Sequence, residues 1–226
     1  MNFKRRISSV IAASVLASSA WAESPSKQVE KPTFEEYVAE LKTEALSQGY
    51  EQQFIDSSFK DVKFYKRAVK ADRNQPEFVE TLDTYLPKRV PEWKVKRART
   101  MYKEHFDLLN KIGEEYGVQP RFIVALWGLE TNFGKIMGNY SVISALTTLA
   151  YEGRREAFFK KQLWAALQIL DEGHIAVENM KGSWAGAMGQ NQFMPTSFMS
   201  YAVDGDKDGK KDIWTNHADV FASMAN

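Results

Sequence analysis

Apolar residues recur at helical spacing along most of this chain, and prolines or glycines interrupt the pattern. The clearest case covers 34–48, where Thr33 and Glu36 form a capping box at the start and Gly49 marks the end. Similar patterns predict further helices over 51–60, 76–86, 92–116, 142–151 and 156–172, and one that opens at Pro120. Segment 61–72 fits either a strand or a helix. This spacing predicts a mostly helical fold.

The 226-residue chain contains no cysteine, which excludes disulfides, thiolate metal sites and a cysteine nucleophile. Its apolar residues make up 44% of the sequence, enough for a sizeable core. The three histidines are far apart along the sequence and form no HExxH pair, which argues against a zinc hydrolase: His105, His174 and His217. With 30 basic and 29 acidic residues, the chain has no charge excess of the kind that binds nucleic acid.

The N-terminus has the three parts of a secretory signal peptide. Residues 4–6 are basic, an apolar run starts at Ile7, and Ala20-Trp21-Ala22 is a small-x-small cleavage site. We therefore predict a cleaved signal over 1–22, a linker over 23–32 and an exported protein. The alternative is a membrane anchor, but the apolar run is too short to span a bilayer and contains several serines.

One acidic residue interrupts the apolar stretch WGLETNFG, at 127–134. On a helical wheel Glu130 falls between Leu126 and Ile123, so its carboxylate is predicted to lie on an apolar face near the helix C-terminus. Apolar surroundings and the negative end of the helix dipole both favour the protonated form, and a raised pKa suits a general acid. The alternative is a structural carboxylate paired with a cation, with Arg154, Arg155 and Lys135 as candidates.

Segment 181–197, KGSWAGAMGQNQFMPTS, is too rich in small and polar residues for a regular element. It presents hydroxyl and amide groups near two aromatic rings, and the polar residues are Ser183, Gln190, Asn191 and Gln192. Such groups suit a sugar, which has hydroxyl edges and apolar C–H faces. The segment is therefore interpreted as a ligand-lining loop, with an ordinary surface loop as the alternative.

Three aspartates open the loop DGDKDGKKDIW with the D-x-D-x-D-G spacing of a calcium-binding loop: Asp204, Asp206 and Asp208. Gly209 stands at the sharp turn, and Lys210 can offer its carbonyl oxygen. The twelfth position holds Thr215 instead of the bidentate glutamate of an EF-hand, and Asp219, four residues further on, is the candidate replacement. We predict a metal site here; the alternative is a solvated turn.

Together, WGLETNFG, the GRR at 153–155, GSWAGAMGQNQFMPTS and the aspartate loop resemble the MltB-type lytic murein transglycosylases, glycoside hydrolase family 103. The motifs follow the family's order over about 95–226. The resemblance implies an α+β, mostly α fold: a helical N-terminal domain over 33–92 and a lysozyme-like core over 93–226 with an EF-hand-like calcium loop over 204–219. Family members continue past FASMAN with an aromatic residue and a long further stretch, so the core is expected to be incomplete at its C-terminus.

The resemblance also implies cleavage of the β-1,4 bond between N-acetylmuramic acid and N-acetylglucosamine in peptidoglycan strands, in the periplasm, with 1,6-anhydromuramyl ends as the product. Glu130 is implied as general acid and then base. Ser183 and Gln192 are implied to bind the saccharide, and Arg154 and Arg155 to line the groove. The implied structural calcium ligands are Asp204, Asp206, Asp208, Asp219 and the Lys210 carbonyl. A non-catalytic glycan-binding wall protein and a hydrolytic muramidase are the alternatives.

Overall fold

The computed structural model describes residues 31–74 and 81–226, of which Pro32–Asn226 form one compact unit. These ranges contain eleven α-helices and one two-stranded sheet. The helices are α1 (Phe34–Ser47), α2 (Gln52–Phe59), α3 (Lys66–Arg73), α4 (Leu82–Arg89), α5 (Glu92–Glu104), α6 (Phe106–Tyr116), α7 (Pro120–Thr131), α8 (Val142–Glu152), α9 (Glu156–Asp171), α10 (Pro195–Tyr201) and α11 (His217–Ala225). The strands are β1 (Tyr140–Ser141) and β2 (Lys181–Gly182). Within the described ranges, no helix combines the length and apolar character needed to cross a membrane.

Some predicted elements lie partly or wholly outside this part of the chain. The signal peptide over 1–22 and most of the linker over 23–32 are outside the described residues, as is the first part of the helix predicted over 76–86. The described part of that helix is α4, which runs through Pro87 to Arg89 instead of ending before the proline.

Helix α1 forms where its sequence signals place it. The Thr33 hydroxyl accepts a hydrogen bond from the Glu36 N–H at 3.2 Å, and the Glu36 carboxylate accepts one from the Thr33 N–H at 2.7 Å. This reciprocal pair satisfies donors that a helix start otherwise leaves free. Gly49, with a φ of 95°, stands just past the end. The capping box is therefore confirmed.

The single helix predicted over 92–116 is wrong, because the chain breaks at His105 into α5 and α6. His105 leaves helical geometry with φ −112° and ψ 21°. Its ring packs edge-on against Trp127 and His217, with centroid distances of 5.5 and 4.6 Å. The break gives α5 and α6 separate directions, so that α5 packs on α7 while α6 packs on both α7 and α11. Apolar spacing continues through the break and gives no sign of it.

The ambiguous segment 61–72 contains an irregular part and a helix. Residues 62–65 form neither helix nor strand, and α3 follows from Lys66. Two buried hydroxyls of α8 fix the irregular part: Ser144 accepts the Lys63 N–H and Thr148 accepts the Tyr65 N–H, each at 3.1 Å. Partners on a distant helix thus decide a choice that local sequence leaves open.

The small sheet confirms the α+β, mostly α class. β1 and β2 are antiparallel, with Tyr140 opposite Gly182. Single bridges continue the pairing from Gly182 to Met188 and from Met188 to Phe193. The prediction that no regular element occupies 181–197 is wrong at both ends, because β2 pairs with β1 at its start and α10 begins at Pro195.

Two apolar clusters form the core. The first joins α1, α2 and α3 with α8, α9 and α10, and the second joins α5, α6, α7 and α11. Helix α8 is the centre of the first cluster, since every residue from Val142 to Ala150 is buried. Helix α7 belongs to the second cluster and carries Glu130 at its end. The division into domains at residues 33–92 and 93–226 stays a prediction.

Candidate active site

Helix α7 presents Glu130 at its C-terminal end. Pro120 occupies the first turn, as predicted, where its missing N–H costs no hydrogen bond. The side that packs on the core consists of Ile123, Val124, Trp127, Gly128 and Thr131. Glu130 lies on the exposed side, with Leu126 about one turn and Phe122 about two turns before it. The neighbours of Glu130 on this face are apolar, as the helical wheel predicts, and they are exposed to solvent: Phe122 is 53% and Leu126 44% exposed.

The Glu130 carboxyl group is partly desolvated. Nearby protein atoms remove some of its hydration, which raises its pKa above the ordinary 4.5. Within the described ranges no cation pairs with it. The alternative of a salt bridge to Arg154, Arg155 or Lys135 is therefore not realised there. An acid whose pKa is raised by desolvation keeps its proton to higher pH than an ordinary carboxyl group, which suits a general acid.

The two predicted groove arginines lie where α8 passes into α9, and both are partly held. The Arg154 guanidinium donates to the Asp72 carboxylate and to the Asp72 carbonyl oxygen, each at 2.8 Å. The Arg155 guanidinium lies over the Phe158 ring at 4.2 Å from its centroid. Arg154 is thus anchored to α3, while Arg155 stacks on an aromatic ring at the start of α9.

Gln190 fastens the loop 181–197 to α7. Its Oε1 accepts the Trp127 indole N–H at 2.6 Å, and its carbonyl oxygen accepts the Thr131 hydroxyl at 3.1 Å. Its Nε2 donates to the Trp214 carbonyl oxygen at 2.9 Å, and its backbone N–H donates to the Ile213 carbonyl oxygen at 2.8 Å. The prediction that Gln190 faces a ligand is wrong, because this 5%-exposed amide is fully used inside the protein.

Asn191 also points inward. It is 5% exposed, and its Nδ2 donates to the Val220 carbonyl oxygen on α11 at 3.0 Å. Its predicted place on the ligand side is therefore wrong as well. Composition identifies polar groups in a loop but not which of them meet buried partners, and for the same reason the roles of Trp127 and Thr131 could not be predicted from the sequence.

Ser183 and Gln192 remain partly exposed and are positioned by the loop itself. The Ser183 Oγ accepts the N–H groups of Ala187 and Ala185 at 3.1 and 3.3 Å. Gln192 adopts a left-handed φ of 49°, and its Nε2 donates to the carbonyl oxygens of Met137 and Gly189 at 3.1 and 3.0 Å. In the described ranges the Ser183 hydroxyl proton and the Gln192 Oε1 have no protein partner, so one donor and one acceptor are available for a sugar.

Gly138 allows the loop that follows Glu130 to pack against the strand that precedes Ser183. It has a φ of 89°, and a Cβ there would lie 2.1 Å from the Gly182 carbonyl oxygen. Any side chain would therefore push the two segments apart. This close approach and the bond from Gln192 to Met137 bring the segment that follows Glu130 next to the segment around Ser183.

Three aspartates converge in the acidic loop. Oxygen atoms of Asp204, Asp206 and Asp219 all lie within 4.8 Å of one another. Asp219 is fully buried, and its carboxylate accepts the N–H groups of Gly205 and Asp212 at 2.7 and 2.6 Å. Burial, together with the charges of Asp206 and Asp204, raises its pKa in spite of those two bonds. A buried carboxylate beside two others fits a hard cation with oxygen ligands such as calcium.

The outer part of the loop is arranged differently. The Asp208 carboxylate accepts the Lys210 N–H at 2.8 Å and is not among the three converging side chains. The Asp212 carboxylate caps the following turn by accepting from Trp214 and Thr215, each at 2.9 Å. Of the predicted metal ligands, the structure brings together Asp204, Asp206 and Asp219, while the roles of Asp208 and the Lys210 carbonyl stay predictions.

Gln190→Leu should destabilise the fold. Leucine fills the space but leaves the buried Trp127 indole N–H and Trp214 carbonyl without partners, at a cost of about 1–3 kcal/mol for each such group. For a chain of this size we expect the melting temperature to fall by roughly 4–24 °C. Gln168→Leu is the control, because Gln168 is exposed and bonds only Glu172 nearby. Equal melting temperatures for the two variants would contradict this role of Gln190.

Comparison with known proteins identifies the family. The model of the transglycosylase SLT domain matches residues 33–226. The chain belongs to the transglycosylase SLT domain family. It is 36% identical over 143 residues to membrane-bound lytic murein transglycosylase B of Escherichia coli K12, a match that covers 63% of this chain and 39% of the relative.

Solved structures of family members agree with the fold. The structure of SltB3 from Pseudomonas aeruginosa in complex with NAG-NAM-pentapeptide superposes with a TM-score of 0.82 at 44% identity, and covers 85% of this chain and 52% of that one. The Escherichia coli lytic transglycosylase Slt35 in complex with calcium gives 0.72 at 29% identity, with 87% and 62% coverage. The predicted lysozyme-like fold is confirmed, and this SLT-domain chain spans about half the length of the SltB3 chain.

Proposed function

We propose that this SLT-domain protein is a lytic transglycosylase, which cleaves the β-1,4 bond between N-acetylmuramic acid and N-acetylglucosamine in peptidoglycan. The observation that carries the proposal is Glu130, a carboxylic acid of raised pKa at the end of α7 that has no ion-pair partner among the residues the structure describes. The segments that carry Glu130 and Ser183 are joined by Gly138 and Gln192. Family membership and a relative bound to NAG-NAM-pentapeptide support this substrate class.

In the proposed reaction Glu130 acts twice. Its carboxylic acid first gives a proton to the glycosidic oxygen, the bond from C1 of muramic acid to that oxygen breaks, and the N-acetylglucosamine side leaves as an alcohol. The N-acetyl oxygen of muramic acid stabilises the positive charge at C1. The Glu130 carboxylate then removes the proton of the C6 hydroxyl, whose oxygen bonds to C1. This step forms the 1,6-anhydro ring, restores the acid and consumes no water.

The other side chains bind and orient the strand. The Ser183 hydroxyl donates to a sugar oxygen, and the Gln192 Oε1 accepts from a sugar hydroxyl or amide. Arg155, stacked on Phe158, and Arg154, anchored through Asp72, line the groove further along. Because these groups are fixed by bonds within the protein, the strand meets a preorganised surface.

Mass spectrometry of purified sacculi digested by the full chain tests the activity. We expect soluble muropeptides with 1,6-anhydro ends, lighter than hydrolysed products by one water. Reducing ends instead would make the protein a hydrolytic muramidase. Binding without any soluble product would make it a glycan-binding wall protein.

We further propose that Asp204, Asp206 and Asp219 hold a structural calcium ion, with Asp208 and the Lys210 carbonyl as additional ligands. The convergence of the three carboxylates and the burial of Asp219 support this proposal. The Slt35 structure in complex with calcium supports the choice of metal. Bound calcium would supply the positive charge that the cluster lacks and tie α11 to the loop, without part in bond cleavage.

Export to the periplasm is proposed from the N-terminal sequence. Cleavage after Ala22 should give a mature protein that begins at Glu23, with a net charge of −2 from 27 basic and 29 acidic residues, since the signal carries three basic residues and no acidic one. Intact-mass analysis of protein from a periplasmic extract should show the loss of residues 1–22. An exported protein that retains Met1 would contradict the prediction. Ala22→Leu should block cleavage because it removes a small residue from the predicted cleavage site. Ser26→Leu, which lies after that site, is the control and should leave cleavage unchanged.

A further inference from the structure

Residues 60–70 carry a row of exposed cations. Lys60, Lys63, Lys66, Arg67 and Lys70, here called the basic strip, are all exposed. In the part of the chain that the structure describes, none of these five side chains has an ion-pair or hydrogen-bond partner. Asp61 is the one acidic residue of the segment. Such a concentration stands out in a chain whose basic and acidic residues balance, and like charges held close together repel unless an anion binds.

A cavity opens beside the strip. It has a volume of about 520 Å³ and is lined by Phe64, Tyr65, Lys66, Arg67, Asn139 and Tyr140. Two cations and an amide can bind carboxylate oxygens, and the aromatic rings can cover apolar groups of a ligand. The lining therefore suits a flexible molecule that carries both carboxylates and apolar parts, as a peptide does.

The walls of this cavity are held in place from inside. Buried Ser144 and Thr148 of α8 fix the backbone of Lys63 and Tyr65 through bonds of 3.1 Å, and the Thr148 hydroxyl also donates to the Lys63 carbonyl oxygen at 3.3 Å. The Tyr65 ring packs edge-on against Tyr140 with centroids 5.1 Å apart. The segment is thus preorganised, which lowers the entropic cost of binding.

Backbone pairing and helix α3 connect the cavity lining to two residues of the candidate active site. Tyr140 pairs with Gly182, the residue before Ser183. At the other end of α3, Asp72 binds the guanidinium of Arg154. A glycan strand that reaches Ser183 and Arg154 would therefore bring its substituents towards the side chains of Lys66 and Arg67.

We propose that the cavity and the basic strip bind the carboxylates of the peptide stems that muramic acid carries. The inference rests on the proposed function and adds to it a preference for strands that bear peptides. A peptide stem ends in a free carboxylate, and Lys66 and Arg67 provide its counter-charges. A concave site that adjoins the β1 edge favours a peptide over a membrane surface, which would need a convex face.

Binding of a defined ligand tests the proposal without relying on turnover. We would titrate the full chain with GlcNAc-MurNAc-pentapeptide and with the peptide-free disaccharide, by calorimetry at low salt. The Lys66→Gln, Arg67→Gln double variant should bind the peptide-bearing ligand about three- to tenfold more weakly and the disaccharide unchanged. The matched control is Lys111→Gln, Lys161→Gln, which removes two exposed cations elsewhere and should alter neither.

The cleavage assay gives a second readout. On strands that retain peptides, the double variant should raise KM by a similar factor and leave kcat unchanged, and on strands stripped of peptides it should match the wild type. Equal affinity of wild type and double variant for the peptide-bearing ligand overturns the proposal, whether or not the protein cleaves. If the double variant lost affinity for phosphatidylglycerol vesicles but kept its affinity for the peptide-bearing ligand, the proposal would also be overturned, and the strip would be assigned to a membrane surface. Stem binding without cleavage by the wild type would uphold this inference and reject the proposed function.

Discussion

Glu130→Gln should remove nearly all turnover of peptidoglycan while the fold and glycan binding persist. Glutamine keeps the size of the side chain but carries no exchangeable acidic proton, and general acid–base catalysis contributes about 10²–10⁴-fold for each role. One residue fills both roles in the proposed reaction. We expect release of anhydromuropeptides to fall at least a hundredfold. The melting temperature should stay equal or rise slightly, because a negative charge at a helix C-terminus is unfavourable.

Glu114→Gln is the matched control for this substitution. Glu114 is an exposed glutamate on α6, so its replacement should change neither turnover nor stability. Ser183→Ala and Gln192→Ala should have smaller effects than Glu130→Gln, since each removes one hydrogen bond to the sugar, worth on the order of 1 kcal/mol. Full turnover by Glu130→Gln would show that this carboxylate is structural.

The pH dependence should follow the protonation of Glu130. The first step needs the protonated acid, so the rate falls as pH rises through its pKa. Because desolvation raises that pKa above 4.5, the protonated form persists to higher pH than for an ordinary carboxyl group. A profile of initial rate against pH checks this, and a falling limb centred at or below 4.5 would contradict the raised pKa.

Calcium should raise the melting temperature of the full chain by mass action on the folded state. Extracellular-type loops bind calcium at roughly 10⁻⁴–10⁻³ M, so 5 mM calcium should add about 1–2 kcal/mol. For a chain of this size that corresponds to a rise of roughly 2–8 °C, reversed by chelation. Differential scanning calorimetry with and without calcium measures it.

Removal of the converging carboxylates should abolish the calcium response. The double substitution Asp204→Asn, Asp206→Asn removes two negative charges from the cluster and leaves the buried Asp219 carboxylate in place. The control is Asp107→Asn, because Asp107 is exposed on α6, outside the loop. A calcium-dependent shift of unchanged size in the double variant would exclude these aspartates as the ligands. The same comparison with Asp208→Asn determines whether that side chain joins the site when metal binds.

Local signals in the sequence were sufficient for several features. Thr33 and Glu36 predict the start of α1, and Pro120 predicts the start of α7, because capping depends on residues three or four apart. Glu130 stands out for a similar reason, as the single acid in an apolar stretch. The spacing of Asp204 and Asp206 within one loop also predicts that their carboxylates lie close together.

Only the tertiary structure decided which polar groups face inward. Gln190, Asn191 and Gln192 are adjacent amides that look alike in the sequence. Gln190 nevertheless binds the buried Trp127 of α7, and Asn191 binds the carbonyl oxygen of Val220 on α11. The break at His105 depends on packing against α7 and α11, and apolar spacing cannot show it.

The partners of charged groups were equally outside the reach of the sequence. Arg154 binds Asp72, 82 residues earlier in the chain. Asp219 joins Asp204 from the start of another helix. Helix spacing predicts that Phe122, Leu126 and Glu130 share a face, and the neighbouring helices determine that the opposite face is the one buried. Sequence periodicity specifies which residues lie together on an element, whereas burial and ion pairing depend on contacts between residues far apart in the chain.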